Sequence, residues 1–293
     1  MFEQFLMWYN GLSEGLWGAL LLFAVGVVLL IKGGDWFVDG AVGIAKRFRV
    51  PEIIIGATVV SIGTTLPEVM VSVTAAVNNN GAIAYGNAIG SIICNTSLIA
   101  ALTIAIRPAP VDRKTIVTPI IFFFISAGIY MVAAYIFGRF DRWLGIVMLL
   151  VFAVYMGSTI YKGFKNPVQE QQEEEETVAD SFVKEVILIV VGAALIAVGA
   201  DMLEGSSVSL ASLAGIPTEV VGVTVVALCP SLPELVTAVT ALIKGYGALS
   251  LGNIIGANLF NLVLVSGAAI AINPFDVPVD FRLLDVKEYG LSS

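Results

Sequence analysis

Two glutamates set the chemistry this chain can do. Glu68 ends the stretch Ser61-Ile62-Gly63-Thr64-Thr65-Leu66-Pro67-Glu68, and Glu234 ends Ala227-Leu228-Cys229-Pro230-Ser231-Leu232-Pro233-Glu234. Each lies within a long apolar run. A second polar motif follows each: Gly86-Asn87-Ala88-Ile89-Gly90-Ser91-Ile92-Ile93-Cys94-Asn95, and Gly252-Asn253-Ile254-Ile255-Gly256-Ala257-Asn258-Leu259-Phe260-Asn261. A carboxylate at bilayer depth costs at least about 2.5–3.5 kcal/mol. Two of them, close and unpaired, would repel each other until one took up a proton. A bound cation removes both problems. The proline before each glutamate deletes a backbone donor and frees an upstream carbonyl. Thr64, Thr65 and Ser231 add hydroxyl oxygens, and Asn95 and Asn261 add amides. The set is rich in oxygen, with no nitrogen base or thiolate, and suits hard cations such as Ca2+ and Na+. Two carboxylates match one divalent ion, or two monovalent ions helped by neutral oxygens.

The elements that must position these residues are membrane spans. The chain has 293 residues, 58% hydrophobic and 13% charged, where a soluble domain carries about 25% charged. Its mean hydropathy is +0.93. These values define an all-α polytopic membrane protein and exclude a soluble enzyme or a disordered chain. The net charge of −8, with no basic patch, excludes a nucleic-acid binder. With no histidine, zinc and haem sites are not expected, nor is any resident cofactor. Cys94 and Cys229 both fall in apolar segments and do not read as a disulfide framework. Residues 1–14 carry no positive charge, so no cleaved signal peptide is expected.

Eight apolar runs are long enough to cross a bilayer, near 15–38, 52–77, 82–106, 115–137, 142–161, 184–212, 218–243 and 248–273. The second and seventh are interrupted by the Gly/Pro-containing motifs. Residues 162–183 form an acidic linker around Gln169–Glu176, read as solvated, and residues 274–293 form a polar tail. Lys46, Arg47, Arg49, Arg107, Arg113, Lys114, Lys162, Lys165, Lys184 and Lys244 fall after odd-numbered spans. Only Arg139, Arg142, Arg282 and Lys287 fall on the other side. That bias places the N-terminus outside and the acidic linker in the cytoplasm, in a cell membrane.

Slid along itself until Asp35 meets Asp201, the sequence matches without a gap. In that one register Pro51 meets Pro217, Glu68 meets Glu234 and Pro108 meets Pro274. Between 51–95 and 217–261, 18 of 45 positions are identical. The shift carries span 2 onto span 7, five crossings later. Five is odd, so the two copies sit upside down relative to each other. This is the inverted-repeat plan of secondary transporters, which places the substrate site at the repeat interface near midplane. The first repeat covers 15–161 and the second 184–273. Gly86, Gly90, Gly252 and Gly256 read as helix-packing positions. Asp35 and Asp201 read as interfacial, with Lys32 the expected partner of Asp35.

Gly-Thr-Thr-Leu-Pro-Glu with Gly-Asn-Ala-Ile-Gly-Ser-x-x-x-Asn resembles the first alpha-repeat of the cation/calcium exchanger superfamily, above all its prokaryotic sodium/calcium antiporters. The resemblance spans residues 20 to 275. It implies a ten-helix fold of two inverted five-helix repeats, and exchange of Na+ for Ca2+ by alternating access. By motif position it implies ligands Glu68, Thr64, Thr65, Ser91 and Asn95 from the first repeat. From the second it implies Glu234, Ser231 and Asn261. Backbone carbonyls of Ser61 and Ala227 complete the set. Ca2+/H+ exchange, with protons carried on the glutamates, is an alternative, as is a non-transporting relative.

Three departures stand out. Cys229-Pro230 replaces the usual Gly-Thr and removes a hydroxyl. Ala257 stands where a serine would mirror Ser91. Asn261 stands where some members carry aspartate, which implies exchange without K+. The expected partners are the two ions and the lipid bilayer. Only eight of the family's ten helices are legible. The face the other two would cover is expected to meet lipid, a second copy or a partner chain.

Overall fold

A computed structural model describes residues 15–108, 113–165, 182–216 and 228–277. Within them the chain is helical. The helices are α1 (Leu16–Arg47), α2 (Glu52–Val77), α3 (Gly81–Ile106), α4 (Arg113–Val132, extended by the π turn Ala133–Phe137), α5 (Arg142–Lys165), α6 (Phe182–Leu213), α7 (Cys229–Ile243) and α8 (Gly247–Ile272). Seven are long and apolar enough to cross a membrane, and α7 is a shorter apolar helix. The N-terminal half of the seventh expected span lies outside the described residues.

Three expectations need correction. The first helix does not stop near residue 38 but runs on to Arg47. Its last turns carry charge that is paired rather than solvated: Arg47 Nε and Nη2 donate to the two Glu185 oxygens at 2.8 and 2.9 Å. Asp35 is paired not with Lys32 but with Lys244, at 3.4 Å, and Lys244 reaches Asp39 at 2.7 Å. The α7–α8 turn brings this lysine, distant in sequence, over α1. Finally, α2 is not interrupted at its motif. Pro67 sits inside a continuous helix. Only in the second repeat does the motif change geometry, with Cys229–Ser231 forming a 3-10 turn.

Glycines decide how closely the helices approach. A Cβ on Gly26 would lie 3.0 Å from the Gly199 carbonyl, and one on Gly33 would lie 2.9 Å from the Gly192 carbonyl. The reciprocal contacts match: Gly192 against Gly33, Gly199 against Gly26. Each pair maps onto the other in the register of the repeat, so α1 and α6 cross about the pseudo-twofold axis. Gly252 and Gly256 press α8 onto Ile53, Ala57 and Ser61 of α2, as expected of packing positions. Gly86 and Gly90 differ: among the described residues nothing lies within 4 Å of a Cβ there. Positions 219 and 223, the repeat counterparts of Ile53 and Ala57, lie outside the described set.

The α4–α5 pair leans on the second repeat. Gly145 admits the Gly267–Ala271 turn of α8. Tyr155 is fully buried and its hydroxyl donates to the Ala57 carbonyl at 3.3 Å. Two short strands, β1 (Arg139–Phe140) and β2 (Phe275–Asp276), pair antiparallel. They tie the start of the expected polar tail to the α4–α5 turn.

Two outcomes follow from this packing. Gly252→Ala should lower thermal stability in detergent by about 1–3 kcal/mol, since its Cβ would meet backbone that cannot yield. Gly157→Ala, with open space around it, should leave the melt unchanged. Arg47→Met should destabilise by about 3 kcal/mol, because it strands a buried carboxylate, and Glu185→Leu in the same chain should recover most of that loss.

Candidate ion-binding site

The site forms where α2 and α3 of one repeat meet α7 and α8 of the other. Ser61, Thr64, Thr65, Glu68, Ser91, Asn95, Ser231, Glu234 and Asn261 are all buried, none more than 3% exposed. Ala227 lies outside the described residues. The carboxyl groups of Glu68 and Glu234 are direct neighbours. Thr65 Oγ1 donates to Glu234 Oε1 at 3.4 Å, which crosses from the first repeat to the second. The first repeat's motif therefore helps to surround the second repeat's glutamate.

The local backbone explains this placement. Glu68 projects from the turn after Gly63, where Pro67 leaves the Gly63 carbonyl without its usual donor one turn on. Gly63 has no side chain because a Cβ would lie 2.6 Å from Phe37 Cζ of α1. In α7 the freed carbonyl is used differently: Cys229 O accepts from the Leu232 N–H, closing the 3-10 turn. Asn95 and Asn261 each open a five-residue π segment, Asn95–Ile99 and Asn261–Val265. The two segments coincide in the register of the repeat, so this distortion belongs to the duplicated unit. Single π turns inside α-helices are frequent at functional sites. Asn261 Nδ2 donates to the Ala257 carbonyl at 3.1 Å, which leaves Asn261 Oδ1 buried with no donor.

The electrostatics are unusual for a protein interior. Among the described residues, both Glu68 oxygens, Glu234 Oε2, Ser231 Oγ, Asn261 Oδ1 and both polar atoms of Asn95 are buried without a hydrogen-bond partner. A buried group left unsatisfied costs about 1–3 kcal/mol, and more when it is charged. Most of these atoms are oxygens, and they lie on the four helices that carry the two carboxylates. Such a cluster has the donor chemistry of a hard-cation cage, and its residues fit a Ca2+ or Na+ ion as cargo. Among the described residues no group of three or more His, Cys, Asp or Glu could hold a metal. Any cation here therefore relies on neutral oxygens beyond the glutamate pair. Next to the cage, Phe37, Gly63, Thr64, Pro67, Ile196 and Pro233 line a small cavity between α1, α2, α6 and α7.

One participant is not singled out by the sequence reading. Asn253 is fully buried and its Oδ1 accepts from Thr64 Oγ1 at 3.3 Å. Its carbonyl lies 3.0 Å from Ser61 Oγ. Its repeat mate Asn87 donates instead to the Glu68 carbonyl at 3.0 Å and to Ser72 Oγ at 2.9 Å. The signal is present in the sequence: Gly-Asn opens the second motif of both repeats.

Helices built as an inverted pair around intramembrane carboxylates define a multi-pass secondary transporter for cations. Similarity to known proteins narrows the class. The family model for sodium/calcium exchanger proteins matches residues 18–161 and 184–290. An uncharacterised membrane protein of Methanocaldococcus jannaschii, MJ0091, is 36% identical over 85% of this chain and 79% of its own. The sodium/calcium exchanger MaX1 of Methanosarcina acetivorans is 32% identical, covering 88% of this chain and 84% of its own. The sodium-calcium exchanger NCX_Mj, soaked with Na+ and Sr2+, has a structure that superposes with a TM-score of 0.77. It is 30% identical over 88% of this chain and 83% of that one. The chain belongs to the sodium/calcium exchanger family. It is a cation exchanger and not an enzyme.

Proposed function

We propose that this protein exchanges Na+ for Ca2+ across the cell membrane by alternating access. The ligands are side-chain oxygens of Glu68, Glu234, Thr64, Thr65, Ser91, Asn95, Ser231 and Asn261, with backbone carbonyls of Ser61 and Ala227. The observation that carries this reading is the buried pair Glu68 and Glu234, set side by side among oxygens that lack partners. The names of MaX1 and NCX_Mj, both sodium/calcium exchangers, support the same ion pair. The carboxylates balance one Ca2+. They balance Na+ equally when neutral oxygens fill the remaining positions, and the two loads cannot share the cage. Exchange then follows from competition for a single site that opens to one side at a time. The N-terminus lies outside and the connection from α5 to α6 is cytoplasmic, in accord with the lysine and arginine bias.

Radioactive Ca2+ uptake into vesicles loaded with Na+ tests the reading. Uptake should require the outward Na+ gradient and persist when the proton gradient is dissipated. Uptake that follows the proton gradient at constant Na+ would instead identify Ca2+/H+ exchange. Glu68→Gln keeps the shape of the side chain but removes one charge. Interactions with charged groups are worth about 1.5–3 kcal/mol, so Ca2+ affinity measured by titration calorimetry should fall at least about tenfold. Glu234→Gln should do the same. Asp141→Asn should leave Ca2+ binding unchanged, because Asp141 is an exposed charge paired with Arg139.

A further inference from the structure

The two repeats offer an internal comparison that assigns a role to Asn253. A hydroxyl that serves a cation must present a lone pair, so its proton needs another acceptor. Thr64 Oγ1 has two within reach: Asn253 Oδ1 at 3.3 Å and the Ser61 carbonyl at 3.4 Å. If the proton points at the Ser61 carbonyl, it occupies an oxygen that the proposed cation site uses. If it points at Asn253, both the Ser61 carbonyl and the Thr64 lone pairs stay available. Asn253 has its Oδ1 toward Thr64, is fully buried, and comes from α8 of the other repeat. Its neighbour Ser61 needs Oδ1 less: the Ser61 hydroxyl has the Gly56 carbonyl at 2.8 Å, while Asn253 Oδ1 lies at 3.5 Å.

The second repeat shows what happens without the hydroxyls. The residues equivalent to Thr64 and Ser61 are Pro230 and Ala227, and neither has a side-chain donor. Asn87, the equivalent of Asn253, has a buried Oδ1 with no hydrogen-bond partner among the described residues. The asparagine persists in both repeats, but its oxygen has a hydroxyl to receive only in one.

We propose that Asn253 is a positioning residue for the ion site. Its Oδ1 accepts the Thr64 hydroxyl hydrogen bond, so that Thr64 Oγ1 and the Ser61 carbonyl both face the cation. This rests on the Na+/Ca2+ reading above, because the cage must bind Ca2+ for Asn253 to matter.

A double-mutant cycle tests it, with Ca2+ affinity read by titration calorimetry on the purified full chain. The variants are Thr64→Val, Asn253→Leu and the pair together, each checked for an unchanged melt without Ca2+. Each single change should weaken Ca2+ binding by about tenfold, the loss of roughly one hydrogen bond to a charged site. The pair should be no weaker than Thr64→Val alone, since Asn253 acts through that hydroxyl. Asn253→Ala is the second probe if Asn253→Leu does not fold, and it should show the same non-additivity. Losses that multiply to about a hundredfold would overturn the positioning role while leaving the site intact. A folded wild-type protein that binds no Ca2+ would overturn the site itself, and the inference with it.

Discussion

Everything in this structure answers to two carboxylates placed where water cannot solvate them. Glu68 and Glu234 are at most 1% exposed and are neighbours. An isolated ion in such a place is not tolerated; it is paired, neutralised or bound to a metal. Basic partners are spent elsewhere: the described arginines and lysines that make ion pairs do so near helix ends, at Arg47, Arg139 and Lys244. What meets Glu234 is the Thr65 hydroxyl and the other glutamate. A bound cation would offset the cost of burying both carboxylates.

The duplication is therefore only partly a symmetry of chemistry. The two glutamates, the two Leu-Pro steps and the two π turns beginning at Asn95 and Asn261 are present in both halves. The hydroxyl donors are not. The first repeat offers Ser61, Thr64, Thr65 and Ser91, and the second has only Ser231, with Ala227, Pro230 and Ala257 at the other positions. Charge is shared equally between the halves, and neutral coordination leans on one. This division makes sense physically. Charge balance fixes how many carboxylates the cage must have, whereas neutral oxygens can be redistributed as long as their number suffices.

How much of this is legible in the sequence depends on the range of the interaction. The spans are legible because hydropathy is local: seven of the expected eight are helices that could cross a membrane. The glutamates are legible because a charge inside an apolar run stands out, and the inverted arrangement because the shift crosses an odd number of spans. The extension of α1 is not, since it is stabilised by Glu185 and Lys244, 138 and 209 residues away from the atoms they hold. The π turns carry no local signature distinguishable from an α-helix. Asn253 escapes a sequence reading because its partner Thr64 belongs to the other repeat, and only the folded chain shows that the two meet.

The ion pairs also explain how an upside-down duplicate acquires two different faces. In the register of the repeat, Lys244 becomes Asn78, Arg47 becomes Leu213 and Glu185 becomes Ala19. None of these ties can form at the other end. Asp35 has an equivalent in Asp201, but the charged neighbour of Asp201 is Glu204, not a lysine. At one end of the α1–α6 pair, then, Arg47 clamps α6 to α1 and Lys244 clips α1 to the α7–α8 turn. At the other end the contact rests on glycine against backbone, as at Gly26 and Gly199. The shared geometry of the repeats brings the two glutamates together, and the unrepeated charges make the two ends of the α1–α6 pair unequal.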